Sequence, residues 1–266
     1  MNNYLIKQAS IVNEGEIKIA DVLIVDGRIK KIASSISTTN VNIIDAEGLY
    51  LLPGMIDDQV HFREPGLTHK ADIFSESKAA VAGGITSYMD MPNTIPNTLT
   101  QQWLEDKYTI ASQKSLANYS FFMGISKNNL EEALKTDNEN VCGISDDGLY
   151  FNSNEGMLAN YPDFLEQLFS RTNSLVALHC EDDAVIKKSS DVWQNFNDDI
   201  PYNCHALIHS EEACVKATQR VLIISHKQNN RLHLLHISTF VEANLFDNTI
   251  PIRQKQITAE ACMQHL

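Results

Sequence analysis

No segment of this 266-residue chain approaches the roughly 20 consecutive apolar residues of a membrane-spanning helix, and its opening run, MNNYLIKQASIV, is too brief for a signal peptide. Positive charge is scarce as well: 21 Lys and Arg stand against 34 Asp and Glu, a formal net charge of -13. That balance opposes nonspecific attachment to nucleic acid or to an anionic membrane, although one local arginine can still hold a small anion. Neither GxGxxG nor GxxxxGK[ST] occurs, so a Rossmann or P-loop nucleotide site loses its main support. The five cysteines (Cys142, Cys180, Cys204, Cys214, Cys262) are odd in number and show no CxxC spacing, which suits a reducing cytoplasm with thiols acting as small core residues.

What is present is an ordinary globular composition, 43% apolar and 21% charged, in a chain long enough to bury a full core. Residues 1–52 read as short β segments separated by turns, with Asp26-Gly27 as a hairpin signal, and predict a small N-terminal β subdomain. From residue 53 to 266 strands alternate with helices. Strands are expected at 55–61, 85–91, 119–123, 141–145, 175–179 and 232–237, with a seventh near 256–263. Helical stretches include HKADIFSESKAAVAGG, NNLEEALKT, YPDFLEQLFSRT and SEEACVKATQRVLIISHKQNN, the last with Ser210 as its start signal. Repeated βα units imply parallel strands with right-handed crossovers. The expected fold is α/β: a TIM-type (β/α) barrel, short of its eight strands at the C-terminus, preceded by the β subdomain.

Polar residues fall where apolar strands stop, which is where such a barrel keeps its chemistry. Gln59 and His61 are two apart on one strand and share a face. His179 and His236 end two further strands, so three imidazoles can converge above the barrel, and neutral imidazole is a good zinc ligand. His69, His205, His209, His226 and His233 lack this placement; His233, three before His236, is expected on the opposite side of its strand. These five read as structural or solvated.

PGMIDDQVHFREPG (residues 53–66), DMPNT, HCED and LHIST together resemble the signatures of dihydroorotases, members of the amidohydrolase superfamily that also contains allantoinases and hydantoinases. The resemblance spans nearly the whole chain. It implies a zinc-dependent enzyme of pyrimidine biosynthesis that interconverts dihydroorotate and N-carbamoyl-L-aspartate. It implies His61, His179 and His236 as metal ligands of one ion, and Arg63 and Asn93 as substrate-binding residues. Arg63 suits a substrate carboxylate because its planar fork forms paired hydrogen bonds, and Asn93 can both donate to and accept from a ring amide. The implied partners are a small anionic cyclic amide or carbamoyl amino acid, and either a second copy of the chain or another pyrimidine enzyme.

Departures from the family pattern bear on activity. Gln59 stands where the first histidine of HxH is expected, and the fourth strand ends at Ser145 rather than at a lysine. Some relatives use an aspartate in an SDDG-like segment; in Ser145-Asp146-Asp147-Gly148 the preferred compensating ligand is Asp146, ahead of Asp147. Gln264-His265 replaces a paired histidine, and the general-base aspartate of the family's final strand would fall beyond Leu266. Losing such a base costs about 100-fold to 10,000-fold. These departures favour a second reading, a noncatalytic dihydroorotase-like partner or structural protein; an allantoinase-like or hydantoinase-like enzyme is a third.

Overall fold

The computed structural model describes residues 3–151, 157–193 and 200–265. Its contacts divide the chain into two compact units, residues 1–55 and 56–266.

The first unit is a five-stranded sheet of β1 (Tyr4–Asn13), β2 (Glu16–Val25), β3 (Arg28–Ala33), β4 (Asn42–Asp45) and β5 (Tyr50–Leu51). The order is β3-β2-β1-β4, with β5 also on β1; β1 to β3 form an antiparallel meander, while β4 and β5 run parallel to β1. The expected turn is there: Asp26 and Gly27 both have positive φ (50° and 74°), the backbone that matches strand twist in a two-residue hairpin. Glu14-Gly15 makes a second such turn (φ 51° and 80°) without the Asn or Asp that would announce it. Ala9, Ile11, Ala20, Val22 and Ala46 form this unit's own small core.

The second unit carries a seven-stranded sheet: β6 (Met55–Val60), β7 (Ile85–Asp90), β8 (Asn118–Gly124), β9 (Gly143–Ser145), β10 (Val176–Leu178), β11 (Leu232–Leu234) and β12 (Ile257–Ala259). Their spatial order is their sequence order, and every pair from β7 to β12 is parallel. Strands added in one direction through right-handed crossovers curl the sheet, since each twists against the last. All seven expected strands are present, several of them trimmed: β9 and β10 keep three residues each because both are buried throughout and their polar neighbours leave the ladder.

Helices fill the crossovers: α1 (Ile73–Ala82), α2 (Gln101–Lys114), α3 (Leu130–Ala133), α4 (Pro162–Arg171), α5 (Asp183–Asp191), α6 (His205–Ile208), α7 (Glu211–Gln228) and α8 (Phe240–Ala243). Local chemistry sets their starts. Asp72 and Ser75 form a reciprocal cap on α1, Pro162 opens α4, and the Ser210 side chain accepts from Ala213 N to begin α7. The stretch NNLEEALKT yields only the four residues of α3. The core between sheet and helices gathers Ile73, Leu104, Phe121, Ile144, Leu165, Leu168, Val221 and Leu232. Each such side chain, removed from water, stabilises the unit by roughly 1.5–3 kcal/mol. No helix among the described residues is long and apolar enough to cross a membrane.

Candidate metal centre

The strand ends deliver the site. His61 directly follows β6, Asn93 lies just past β7, Asp146 and Asp147 follow β9, His179 follows β10, and His236 stands two residues past β11. A buried ion pair ties the first two strand ends together. Asp90, the last residue of β7, accepts from Phe62 N at 2.8 Å through one carboxylate oxygen, and the other lies 2.7 Å from Lys107 Nζ on α2. Lys107 also donates to Met91 O at 2.9 Å, and both side chains are at most 1% exposed.

The imidazoles meet around Asp147. Its carboxylate lies 3.3 Å from His61 Nε2 and 3.8 Å from His236 Nε2, and it accepts from Gln59 Nε2 at 3.2 Å. His236 Nε2 in turn faces His179 Nδ1 at 3.1 Å. Ligand atoms of Asp147, His179 and His236 lie within 4.8 Å of one another, with His61 at the edge of the group. Burial alone would push the Asp147 carboxyl up, but the neighbouring His236, His61 and His179 outweigh it and hold the carboxyl below its ordinary value. Two ring nitrogens facing each other beside a carboxylate are a donor set that one proton or one divalent ion satisfies, and an imidazole-plus-carboxylate set is the kind zinc takes. The site therefore fits that ion.

Asp146, the aspartate expected among the ligands, is committed elsewhere. One of its oxygens accepts from Leu158 N at 2.9 Å and the other from His179 N at 3.2 Å, and burial pushes its carboxyl up to about 6. It pins the backbone that carries His179, whereas the next residue, Asp147, turns its carboxylate to the imidazoles.

Asn93 is buried and its Oδ1 lies 2.9 Å from His61 Nδ1, so it orients that ring. Gly148 makes room for it: at φ +69°, a Cβ on Gly148 would come 2.2 Å from Asn93 Nδ2. Gly148→Ala should therefore cost roughly 1–3 kcal/mol from backbone strain alone and displace Asn93. A thermal denaturation midpoint equal to that of the parent chain would refute this. Arg63 adopts φ +67°, and its guanidinium has no hydrogen bond or ion pair among the described residues. Among the described residues no hydrogen bond or ion pair joins it to the Asp147 group.

His205 and His209, expected as structural or solvated residues, line a cavity next to this group. Glu181 accepts from or pairs with His179 Nε2 at 2.8 Å and His209 Nδ1 at 2.8 Å, and His209 stacks on His205 with centroids 4.5 Å apart. Tyr150, His179, Glu181, His205, His209 and His236 line a cavity of about 710 Å³. The carboxylate two residues after His179 was the available signal, because a metal-binding histidine usually has its second nitrogen held by such a group. Burial raises Glu181, but its hydrogen bonds from His179 and His209 bring it down to about 2, and in return they raise His209. Glu181 thus contributes stability that is present above its ordinary value near 4.5 and is lost as pH falls toward 2. His209 contributes stability that is full below its ordinary 6.5 and fades as pH rises through its higher folded value. Relative to the parent chain, Glu181→Gln should flatten the acid limb of a plot of melting temperature against pH; parallel acid limbs would refute it.

This arrangement has relatives. Residues 48–229 match the profile of the dihydro-orotase-like family. The chain is 32% identical over 241 residues to a dihydroorotase of Methanosarcina acetivorans, covering 88% of this chain and 50% of that protein. It is 30% identical over 238 residues to an allantoinase of Bacillus velezensis, covering 88% of this chain and 52% of that one. The chain thus spans about half the length of these curated relatives. In fold it is similar to the L-hydantoinase of Arthrobacter aurescens, with a TM-score of 0.85 at 22% identity over 98% of this chain and 58% of that one. With strand-end histidines, HFREPG and DMPNT in one parallel α/β unit and the family profile matched over most of its length, the chain belongs to the dihydro-orotase-like family.

Proposed function

We propose that the chain carries the metal centre of a dihydroorotase-type cyclic amide hydrolase that interconverts dihydroorotate and N-carbamoyl-L-aspartate in the cytoplasmic pathway of pyrimidine biosynthesis. The observation that carries this reading is the meeting of His61, His179 and His236 around the Asp147 carboxylate at the ends of neighbouring strands. In this reading residues 1–52 are a β subdomain, and 53–266 form the larger part of a TIM-type barrel with the site at its C-terminal mouth. The substrate is a small anionic cyclic amide or, in reverse, a carbamoyl amino acid. Self-association, or association with another pyrimidine enzyme, accompanies it.

Asp147, His179, His236 and His61 would hold a single zinc ion, which would supply Lewis-acid polarisation of the ring carbonyl and activation of water. Ring opening adds the water oxygen to the carbonyl carbon, breaks the carbon–nitrogen bond and leaves a proton on nitrogen. Glu181 fixes the His179 ring by taking its Nε2–H, which leaves the Nδ1 lone pair toward the centre. Asn93 uses Oδ1 on His61 and keeps its amide N–H groups for a substrate oxygen. The Arg63 guanidinium, unpaired among the described residues, is available for a substrate carboxylate. Asp146 supports the site through the backbone of His179 rather than as a ligand.

The test is an assay of the zinc-supplied chain against dihydroorotate, carbamoyl-aspartate, allantoin and hydantoin. Turnover of the first pair supports the proposal; a zinc-loaded chain that opens or closes neither ring overturns it. Gln59 favours a second reading, a noncatalytic relative, because a neutral amide bonded to Asp147 occupies the place of an imidazole ligand. Gln59→His is expected to tighten zinc on the order of 10-fold, within the range that altering a metal site's surroundings produces. Equal zinc affinity before and after the change would show that this position does not limit the site.

A further inference from the structure

We propose that Asp58, His233 and Glu260 form a second divalent-cation site, separate from the Asp147 group. The three residues come from β6, β11 and the position after β12, and their ligand atoms lie within 4.8 Å of one another. His233 was expected on the far side of its strand from His236 as a structural group. The strand register carries it to two carboxylates: His233 pairs with Thr258 of β12, and Glu260, two residues on from Thr258, lies on the same face.

The group extends beyond the His233–Glu260 ion pair to a second carboxylate. His233 Nδ1 is held by Thr258 Oγ1 at 2.8 Å, so Nε2 alone faces the acids, 3.2 Å from Glu260 and 3.9 Å from Asp58. The Asp58 and Glu260 carboxylates also bring ligand oxygens within 4.8 Å of each other. Two carboxyls and an imidazole nitrogen aimed at one point are mutually repulsive acceptors unless a proton or a cation lies among them. The His233 and Glu260 side chains are about nine-tenths covered (12% and 13% exposed), which fixes them, while Asp58 is 53% exposed and leaves one side open to solvent. Three protein ligands with an open position is the arrangement of a zinc site that also carries water. Imidazole with carboxylate selects zinc, cobalt or a similar first-row divalent ion over magnesium or calcium.

The second site also touches the first. The other Glu260 oxygen accepts from His236 N at 3.3 Å, so an ion that holds Glu260 still also holds the backbone that carries His236. It does not depend on the proposed reaction, since none of its ligands belongs to the Asp147 group.

Equilibrium dialysis of the metal-stripped chain against Zn²⁺ and Co²⁺, with metal counted per chain and cobalt absorption recorded, tests it. The parent chain should bind two ions. Asp58→Asn and His233→Gln should each weaken one of them on the order of 100-fold or more, beyond the effect of losing only a supporting contact, and leave the other in place. His179→Ala should remove the other ion and spare this one. Asp58 is the safer change because it is half exposed, and circular dichroism would verify that each variant is folded. A parent chain that binds one ion, lost in His179→Ala and kept in Asp58→Asn, overturns the second site. A single ion with the reverse dependence supports it and overturns the Asp147 centre instead. Two ions whose affinities ignore both Asp58→Asn and His233→Gln also overturn it.

Discussion

On the proposed function, Asp147→Asn is expected to abolish metal binding at the Asp147–His179–His236 group and to lower dihydroorotate turnover by at least about 1,000-fold. The several kcal/mol that a Lewis acid lends a transition state convert at about 1.4 kcal/mol per tenfold. Asparagine is nearly isosteric, so packing survives, but its amide lacks the charge that offsets His61 and His236. Its N–H₂ would also confront Gln59 Nε2, donor against donor. Asp146→Asn makes the contrast. Among the described residues the Asp146 carboxylate accepts from two backbone N–H groups, so the change leaves one of them facing an amide donor and costs roughly 1–3 kcal/mol of stability. Its zinc should remain. Metal content after desalting, read beside the melting temperature, separates the two: zinc lost from Asp146→Asn and kept in Asp147→Asn would reverse the assignment made here.

The second large effect lies away from the imidazoles. Lys107→Met should destabilise the chain by about 3–5 kcal/mol, because it leaves the Asp90 carboxylate buried with no countercharge. At the usual 2–4 °C per kcal/mol for a unit of this size, the melting temperature should fall by roughly 10 °C. The same change deprives Met91 O of its donor, and Met91 opens the segment that carries Asn93. Pairing it with Asp90→Asn removes the stranded charge and should recover part of the loss, since a buried ion pair replaced as a whole often costs little. A single variant within 1 kcal/mol of the parent, or a double variant that melts lower than the single, would show that the pair is not holding the strand ends.

Much of this architecture is legible in the sequence because short-range physics writes it there. The Asp26-Gly27 hairpin, the Ser210 start of α7 and the apolar strands after residue 53 each depend on a few neighbouring residues. The strand-end histidines are legible for the same reason: a polar imidazole directly after a buried strand has few places to go except the strand's open end. Less of α2 and α5 is visible, because Gln101-Gln102 and Lys187-Lys188-Ser189-Ser190 dilute the apolar period that would reveal a helix.

By itself, the sequence determined the βα alternation, the dihydroorotase-like motifs and which strand ends carry imidazole. Only the tertiary structure decided which of two adjacent aspartates faces the imidazoles, that Glu181 couples His209 to His179, and that His233 meets Asp58 and Glu260. The reason is physical. Strand alternation fixes side-chain direction only while the ladder lasts, and each of these residues lies past the end of a strand or meets a partner far away in sequence, where loop dihedrals and the curl of the sheet choose the neighbours.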